Sequence, residues 1–283
     1  MKLLSFCPAE GGSRIGLLSP LGVVDLSTRL MLGEASMTDV IAGWHDLRAL
    51  AELHAGEGPD YSLDDIRLLA PIAHPGKILA IGLNYADHAA EAGVPLPSTQ
   101  MWFSKTENSV AGPYDPIPLP RVSSQLDYEA ELVIVIGKTC RHADRSAAKN
   151  AIFGYCVGND LSVRDWQTAT SQFLLGKSFD GHGPFGPWIT TADAVDARSL
   201  GVRSIVNGET RQSSNTGNLV FKPVELVMHL SKAMTLKPGD ILFTGTPGGV
   251  GAARNPPLYL ADGDVVRIEI DELGHIEGRV VPE

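Results

Sequence analysis

The chain holds little cysteine, little positive charge and no long apolar run, and each shortage narrows what it can be. Three cysteines occur in 283 residues, Cys7, Cys140 and Cys156, scattered and without a CxxC pair. That excludes a disulfide framework, so reduced thiols in a cytoplasmic setting are expected. The longest unbroken apolar stretches, such as Leu132–Ile136, reach about a quarter of the ~20 residues of a membrane-spanning helix. No membrane partner is expected. The apolar run after Lys2 stops at Pro8, too soon for an export signal whose core needs ~7–15 residues. With 23 Lys and Arg against 33 Asp and Glu, a net charge of −10 sets repulsion rather than counterion release against a nucleic acid.

What is present is the composition of a folded protein, 43% hydrophobic and 20% charged, with enough length for one large domain or two ordinary ones. Turn formers around Gly11-Gly12 and Ser19–Gly22 separate strand-like runs at 2–6 and 14–26. Apolar positions at three- and four-residue spacing from Met37 to Glu52 predict one helix or two. The polar turn Gly56-Glu57-Gly58-Pro59-Asp60 then marks the approach to a boundary. We read residues 1–70 as a small N-terminal β-rich domain and 71–283 as the main one. There, strand-like runs at 77–82, 131–136, 152–157, 241–244, 264–270 and 276–281 outnumber the predicted helices Tyr85–Ala92, Ser162–Phe173 and Pro223–Leu236. Strands that do not alternate with helices argue for a β-rich α+β fold rather than a doubly wound sheet.

The sharpest chemical signal is Asp127-Tyr128-Glu129-Ala130-Glu131, leading into the apolar strand LVIVIG. Residues two apart on a strand share a face, so Glu129 and Glu131 converge, with Asp127 behind them. Such a face is either solvated or holds a hard cation such as Mg²⁺, Mn²⁺ or Ca²⁺. Asp160 closes the run GYCVGND, and Ser162 with Asp165 reads as a capping box that starts a helix there. Arg164 and Gln167, three apart, share a face of that helix. In NYADHAAEAG, Asn84 reads as an N-cap and Gly93 as the stop, which sets His88 and Glu91 on one face as a general-base pair or a plain surface pair. Lys177 lies in a turn between Gly176 and Gly181 and can offer a compact cation. The turn TGTPGGVG at 244–251 can present backbone N–H groups and the Thr246 hydroxyl to an anion, or serve only as a tight turn.

Taken together, NYADHAAEAG, DYEAELVIVIGK, GNDLSVRDWQ, GKSFDGHGPFGPW and GDILFTGTPGGVG resemble the fumarylacetoacetate hydrolase family in order and approximate spacing, over about residues 77–283. The resemblance implies a mixed β-sandwich roll, a homodimer, and Mg²⁺ or alternatively Mn²⁺ held by Glu129, Glu131 and Asp160. It implies a 2-oxo acid substrate, with His88 and Glu91 activating water and Lys177 supporting the enolate. Arg164, Gln167, Thr246 and Lys105 match substrate-lining positions. The expected reaction is hydrolysis of the C3–C4 bond of a 2,4-dioxo acid to pyruvate and a hydroxy acid, and the nearest subgroup motifs imply a 2,4-dioxo-3-deoxy sugar acid from deoxysugar breakdown. Oxaloacetate decarboxylation, muconate-type isomerisation and plain oxo-acid binding are the alternatives. The chain departs from the family at Lys105-Thr106-Glu107-Asn108, where Lys-Pro-Ser/Thr is frequent, and at His182, where a small or aromatic residue is. Both departures bear on substrate choice.

Overall fold

Residues 1–91 and 93–283 are described by a computed structural model. Strands β1 (Lys2–Pro8), β2 (Arg14–Ser19) and β3 (Gly22–Asp25) form an antiparallel meander. Helices α1 (Leu26–Arg29), α2 (Met37–Ala42) and α3 (Trp44–Ala55) follow, and β4 (Ile66–Leu69) returns to pair with β1. The predicted helical stretch resolves into two helices because the Ser36–Asp39 capping box starts α2 and Gly43 ends it.

After β5 (Ile78–Gly82) comes the short α4 (Ala86–Glu91); Ala92, the last residue of the predicted helix, lies outside the described residues. Next are β6 (Met101–Lys105), β7 (Val110–Ala111), β8 (Ile117–Leu119), β9 (Leu126–Asp127) and β10 (Ala130–Ile136). Helix α5 (Arg145–Ala151) precedes β11 (Ile152–Asn159), β12 (Ser162–Val163) and α6 (Arg164–Thr168). The rest is β13 (Gly183–Thr191), β14 (Gly201–Val206), β15 (Glu209–Asn215), α7 (Pro223–Ala233), β16 (Ile241–Phe243), β17 (Val265–Ile270) and β18 (Gly274–Pro282).

The large sheet runs β3-β2-β1-β13-β11-β10-β16-β5-β6, and a smaller one runs β15-β14-β17-β18-β8. The architecture is the β-rich α+β one expected. Strands on both sides of residue 70 share the large sheet, because β1 pairs with β13, so a division at that point crosses a hydrogen-bonded seam.

Strand β10 is buried on both faces, which is why it reads as an unbroken apolar run. Leu132, Ile134 and Ile136 face the smaller sheet's Val202, Val266, Ile268 and Ile276, while Val133 and Val135 face the layer under α2 and α3. Each such fully buried side chain contributes roughly 1.5–3 kcal/mol. This central strand therefore carries Glu131 at its start into a dry, rigid place.

Three expectations change. The predicted helix over 162–173 shrinks to α6, because Ser162 pairs with Asp127 as strand and donates its hydroxyl to the Asp160 carbonyl at 2.9 Å. Asp165 accepts from the Ser123 hydroxyl instead of closing a capping box. Asn84 is no N-cap either: its buried amide donates to Phe221 O and Thr244 O and accepts from Phe221 N, tying β5 to the chain leading into α7. The β14–β15 hairpin is not among the expected strands, although Asn207-Gly208, both at positive φ (52° and 80°), form its two-residue turn.

Candidate active site

Glu129 lies just ahead of β10, Glu131 within it, and Asp160 just past β11, which pairs with β10 by setting Ala130 opposite Asn159. That pairing brings the three carboxylates together from two stretches of chain. Their ligand atoms all lie within 4.8 Å of one another, and all three side chains are buried. Asp127, expected behind them, belongs to a different task. It accepts from Gly251 N (2.7 Å) and Ala252 N (2.9 Å) and pairs with Arg164, so it pins the glycine-rich turn against α6.

Three cations answer three of these four acids. Arg164 pairs with Glu129 (2.7 Å) and donates to Gln167 Oε1 (2.8 Å), confirming the shared face of that pair. Lys177 Nζ sits 2.8 Å from Glu129 Oε2 and 2.7 Å from Asp160 Oδ2. Lys105 Nζ sits 2.7 Å from Asp160 Oδ1. Gly176 makes the placement of Lys177 possible: a Cβ there would come within 2.2 Å of the Gln167 backbone nitrogen.

The charges settle unequally. Burial by itself would raise the Glu129 carboxyl, but Lys177 and Arg164 outweigh it and hold it at about 2. Glu131 has no lysine or arginine partner among the described residues; its Oε2 accepts only from Gly245 N at 2.6 Å. Burial, reinforced by Asp160 and Glu129, pushes its carboxyl well above the usual range. Burial lowers Lys105 although Asp160 opposes it, whereas for Lys177 the carboxylates Asp160 and Glu129 overcome burial and raise it. One buried carboxylate without a cation, beside two others, is what a hard divalent ion relieves. The residues fit such an ion, in an all-oxygen donor set.

Helix α4 lies over the glycine-rich turn. Glu91 accepts from Gly249 N with both oxygens (2.9 and 3.1 Å), and Asp87 accepts from the Ser214 hydroxyl and from Gly248 N. His88 Nδ1 is 3.3 Å from Glu91 Oε2, so the predicted pair forms, on the same turn whose Gly245 N–H holds Glu131. Thr246, buried in this turn, bonds to Gln212 of β15, a residue that motif reading passed over.

His182, the departure noted above, is 1% exposed, stacks on Phe179 and places Nε2 2.7 Å from Pro118 O. A carbonyl only accepts, so Nε2 carries the proton. Burial holds this imidazole at about 4 against an ordinary 6.5. The folded value is the depressed one, so its stabilising effect is whole above pH 6.5 and is lost as pH falls to about 4, up to about 3 kcal/mol. Urea unfolding across that range should show a flatter acid limb for His182→Gln; an unchanged limb would assign acid sensitivity to the carboxylates alone.

Fold and site together define a β-rich α+β protein with a buried cluster of three carboxylates that can hold a divalent cation. The chain belongs to the fumarylacetoacetate hydrolase family: the model named Fumarylacetoacetate (FAA) hydrolase C-terminal matches residues 77–281. It is similar to oxaloacetate tautomerase fahd2, mitochondrial, of Xenopus laevis, at 48% identity over 223 residues that cover 78% of this chain and 70% of the relative. Among solved structures it is similar to fumarylacetoacetate hydrolase from psychrophilic Exiguobacterium antarcticum, with a TM-score of 0.85, 37% identity and all of both chains covered. It is also similar to maleylpyruvate hydrolase from Sphingobium sp. in complex with manganese(II) ion and pyruvate, with a TM-score of 0.85 and 34% identity over 100% of this chain and 99% of that one. Among the described residues no helix is long and apolar enough to cross a membrane.

Proposed function

We propose that this chain is a divalent-metal-dependent enzyme that moves a proton at the carbon beside the keto group of a 2-oxo acid, with keto–enol tautomerisation of an oxaloacetate-like diacid as its reaction. The observation that carries this reading is Glu131, a buried carboxylate with no cationic partner among the described residues, clustered with Glu129 and Asp160. The name of the Xenopus laevis relative supports the choice of reaction. Glu129, Glu131 and Asp160 would hold a Mg²⁺ or Mn²⁺, which would supply Lewis acidity that stabilises the negative charge of the enolate.

The chain's own groups do the rest. Glu91 faces Nδ1 of His88 and leaves Nε2 as the working nitrogen. His88 takes the proton from the substrate's C3, and the enolate oxygen gains one, so a C–H bond is exchanged for an O–H bond with no change of oxidation state. Lys177, already raised by two carboxylates, stays charged beside the developing anion. Arg164 and Gln167 line the site, and Thr246 and Lys105 bind substrate.

A second reading is favoured by the two hydrolases of TM-score 0.85 that match the whole chain. Here His88 deprotonates water, which adds to C4 of a 2,4-dioxo acid; the C3–C4 bond breaks, and the pyruvate enolate is protonated at C3. The deoxy sugar-acid side chain expected from the subgroup motifs has no counterpart in the three proteins named above, so the substrate is proposed at the level of its oxo-acid head. We place the enzyme in the cytoplasm, in keeping with its free cysteines, and as a homodimer, for which exposed Trp166, Leu174 and Leu175 beside the site supply an apolar surface.

Incubation with Mg²⁺ or Mn²⁺ and either oxaloacetate or an acylpyruvate tests both readings. Accelerated enol–keto exchange of oxaloacetate, abolished by EDTA, supports the first; release of pyruvate from the acylpyruvate supports the second. Neither reaction with metal supplied would overturn both.

A further inference from the structure

We propose that Gln212 is the positioning residue that fixes the direction of the Thr246 hydroxyl and so makes Thr246 a donor to the substrate's carboxylate. This rests on the 2-oxo acid reading of the site. Gln212 projects from β15 of the smaller sheet, is 1% exposed, and uses three hydrogen bonds. Its Oε1 accepts from Ala130 N at 3.0 Å, while its Nε2 donates to Pro247 O at 2.8 Å and to Thr246 Oγ1 at 2.7 Å.

Two of these partners leave no freedom. A backbone N–H can only donate, and a proline carbonyl can only accept, so which end of the amide is oxygen and which is nitrogen is decided by chemistry. Thr246 must then receive a hydrogen from Nε2, and its own proton has to go elsewhere. Among the described residues nothing accepts that proton, although Thr246 is 5% exposed. An arriving anion accepts that proton more strongly than a neutral group does, because a hydrogen bond to a charged acceptor is about twice as strong.

The same amide ties together two parts of the site. Ala130 stands between Glu129 and Glu131, and Thr246 follows Gly245, whose N–H holds Glu131 Oε2. One side chain from the smaller sheet therefore links the strand that carries the carboxylates to the glycine-rich turn. The substrate's carboxylate would receive the Thr246 proton there as a charge-assisted O–H···O bond.

Gln212→Glu tests this directly. It keeps the length and the acceptor for Ala130 but replaces both N–H donors with a carboxylate oxygen, which draws the Thr246 proton to itself. Titration calorimetry with pyruvate or oxalate, Mn²⁺ being saturating, should show binding weakened about 10–100-fold, the worth of one hydrogen bond to a charged group. Mn²⁺ affinity in the absence of the acid should move less than about threefold on that same scale. Thr246→Val should lose as much, Thr246→Ser should restore binding, and the double variant Gln212→Glu/Thr246→Val should bind no worse than either alone.

Additive losses in the double variant, Mn²⁺ affinity falling in step with acid affinity, or wild-type binding by Thr246→Val would each overturn the proposal. If Gln212→Glu does not fold, Gln212→Ala takes its place and should weaken acid binding as Thr246→Val does, wild-type acid binding by Gln212→Ala overturning the proposal. Absence of any acid binding by the wild-type protein with Mn²⁺ present would instead overturn the functional reading, and this inference with it.

Discussion

Asp160→Ala is expected to lose divalent-metal binding and activity together, and to lower stability by about 3–5 kcal/mol, the scale for removing one partner of a buried ion pair. The two effects share one cause. Asp160 is one of three clustered carboxylates, so its removal opens the donor set. It is also the carboxylate that Lys105 meets at 2.7 Å and one of two that Lys177 meets. Both ammonium groups are buried, and without Asp160 the remaining hydrogen-bond partner of Lys105 among the described residues is the Leu161 carbonyl at 3.4 Å. Asp160→Asn separates the effects: Lys105 uses Oδ1 and Lys177 uses Oδ2, so asparagine keeps an acceptor for one of the two lysines and loses the charge. It should bind Mn²⁺ as poorly as the alanine variant while unfolding at a higher urea concentration. Mn²⁺ binding at wild-type affinity by Asp160→Ala would remove the metal-site assignment.

For His88→Ala the expected loss is in kcat, about 10²–10⁴-fold, the range for a positioned general base. KM and Mn²⁺ affinity should change little, because neither the carboxylates nor their cations touch His88. Glu91→Gln should cost less, about 10–100-fold by the scale of outer-shell partners, since it orients the imidazole without exchanging the proton itself. It should also loosen α4, because both Glu91 oxygens accept from Gly249 N. Full kcat in His88→Ala would leave a reaction that needs no base, which is how decarboxylation of oxaloacetate would proceed. Steady-state kinetics on each variant, with metal saturating, decides between these outcomes.

Much of the fold is legible in the sequence. The run ELVIVI was legible because β10 is dry on both faces, and the two-residue spacing of Glu129 and Glu131 survives although Glu129 lies ahead of the strand. Reading failed where two local signals competed. Ser162 and Asp165 carry capping chemistry, but pairing of Ser162 with Asp127 claimed that stretch as strand first. The Asn207-Gly208 turn is the local signal that marks the β14–β15 hairpin, and with it β15 and Gln212. Asp127 looked like a fourth converging acid because spacing along a strand says which face a residue occupies, not which cation meets it there.

Chain neighbours alone dictate strand alternation, turn chemistry and the identity of the acids, because those depend on backbone sterics and side-chain direction over a few residues. Which cation meets which acid does not. Lys177 reaches Glu129 across 48 residues and Lys105 reaches Asp160 across 55, and these contacts exist because packing of the two sheets excludes water and leaves buried charges no partner but one another. The spare carboxylate at Glu131 and the hydroxyl direction at Thr246 follow from that packing.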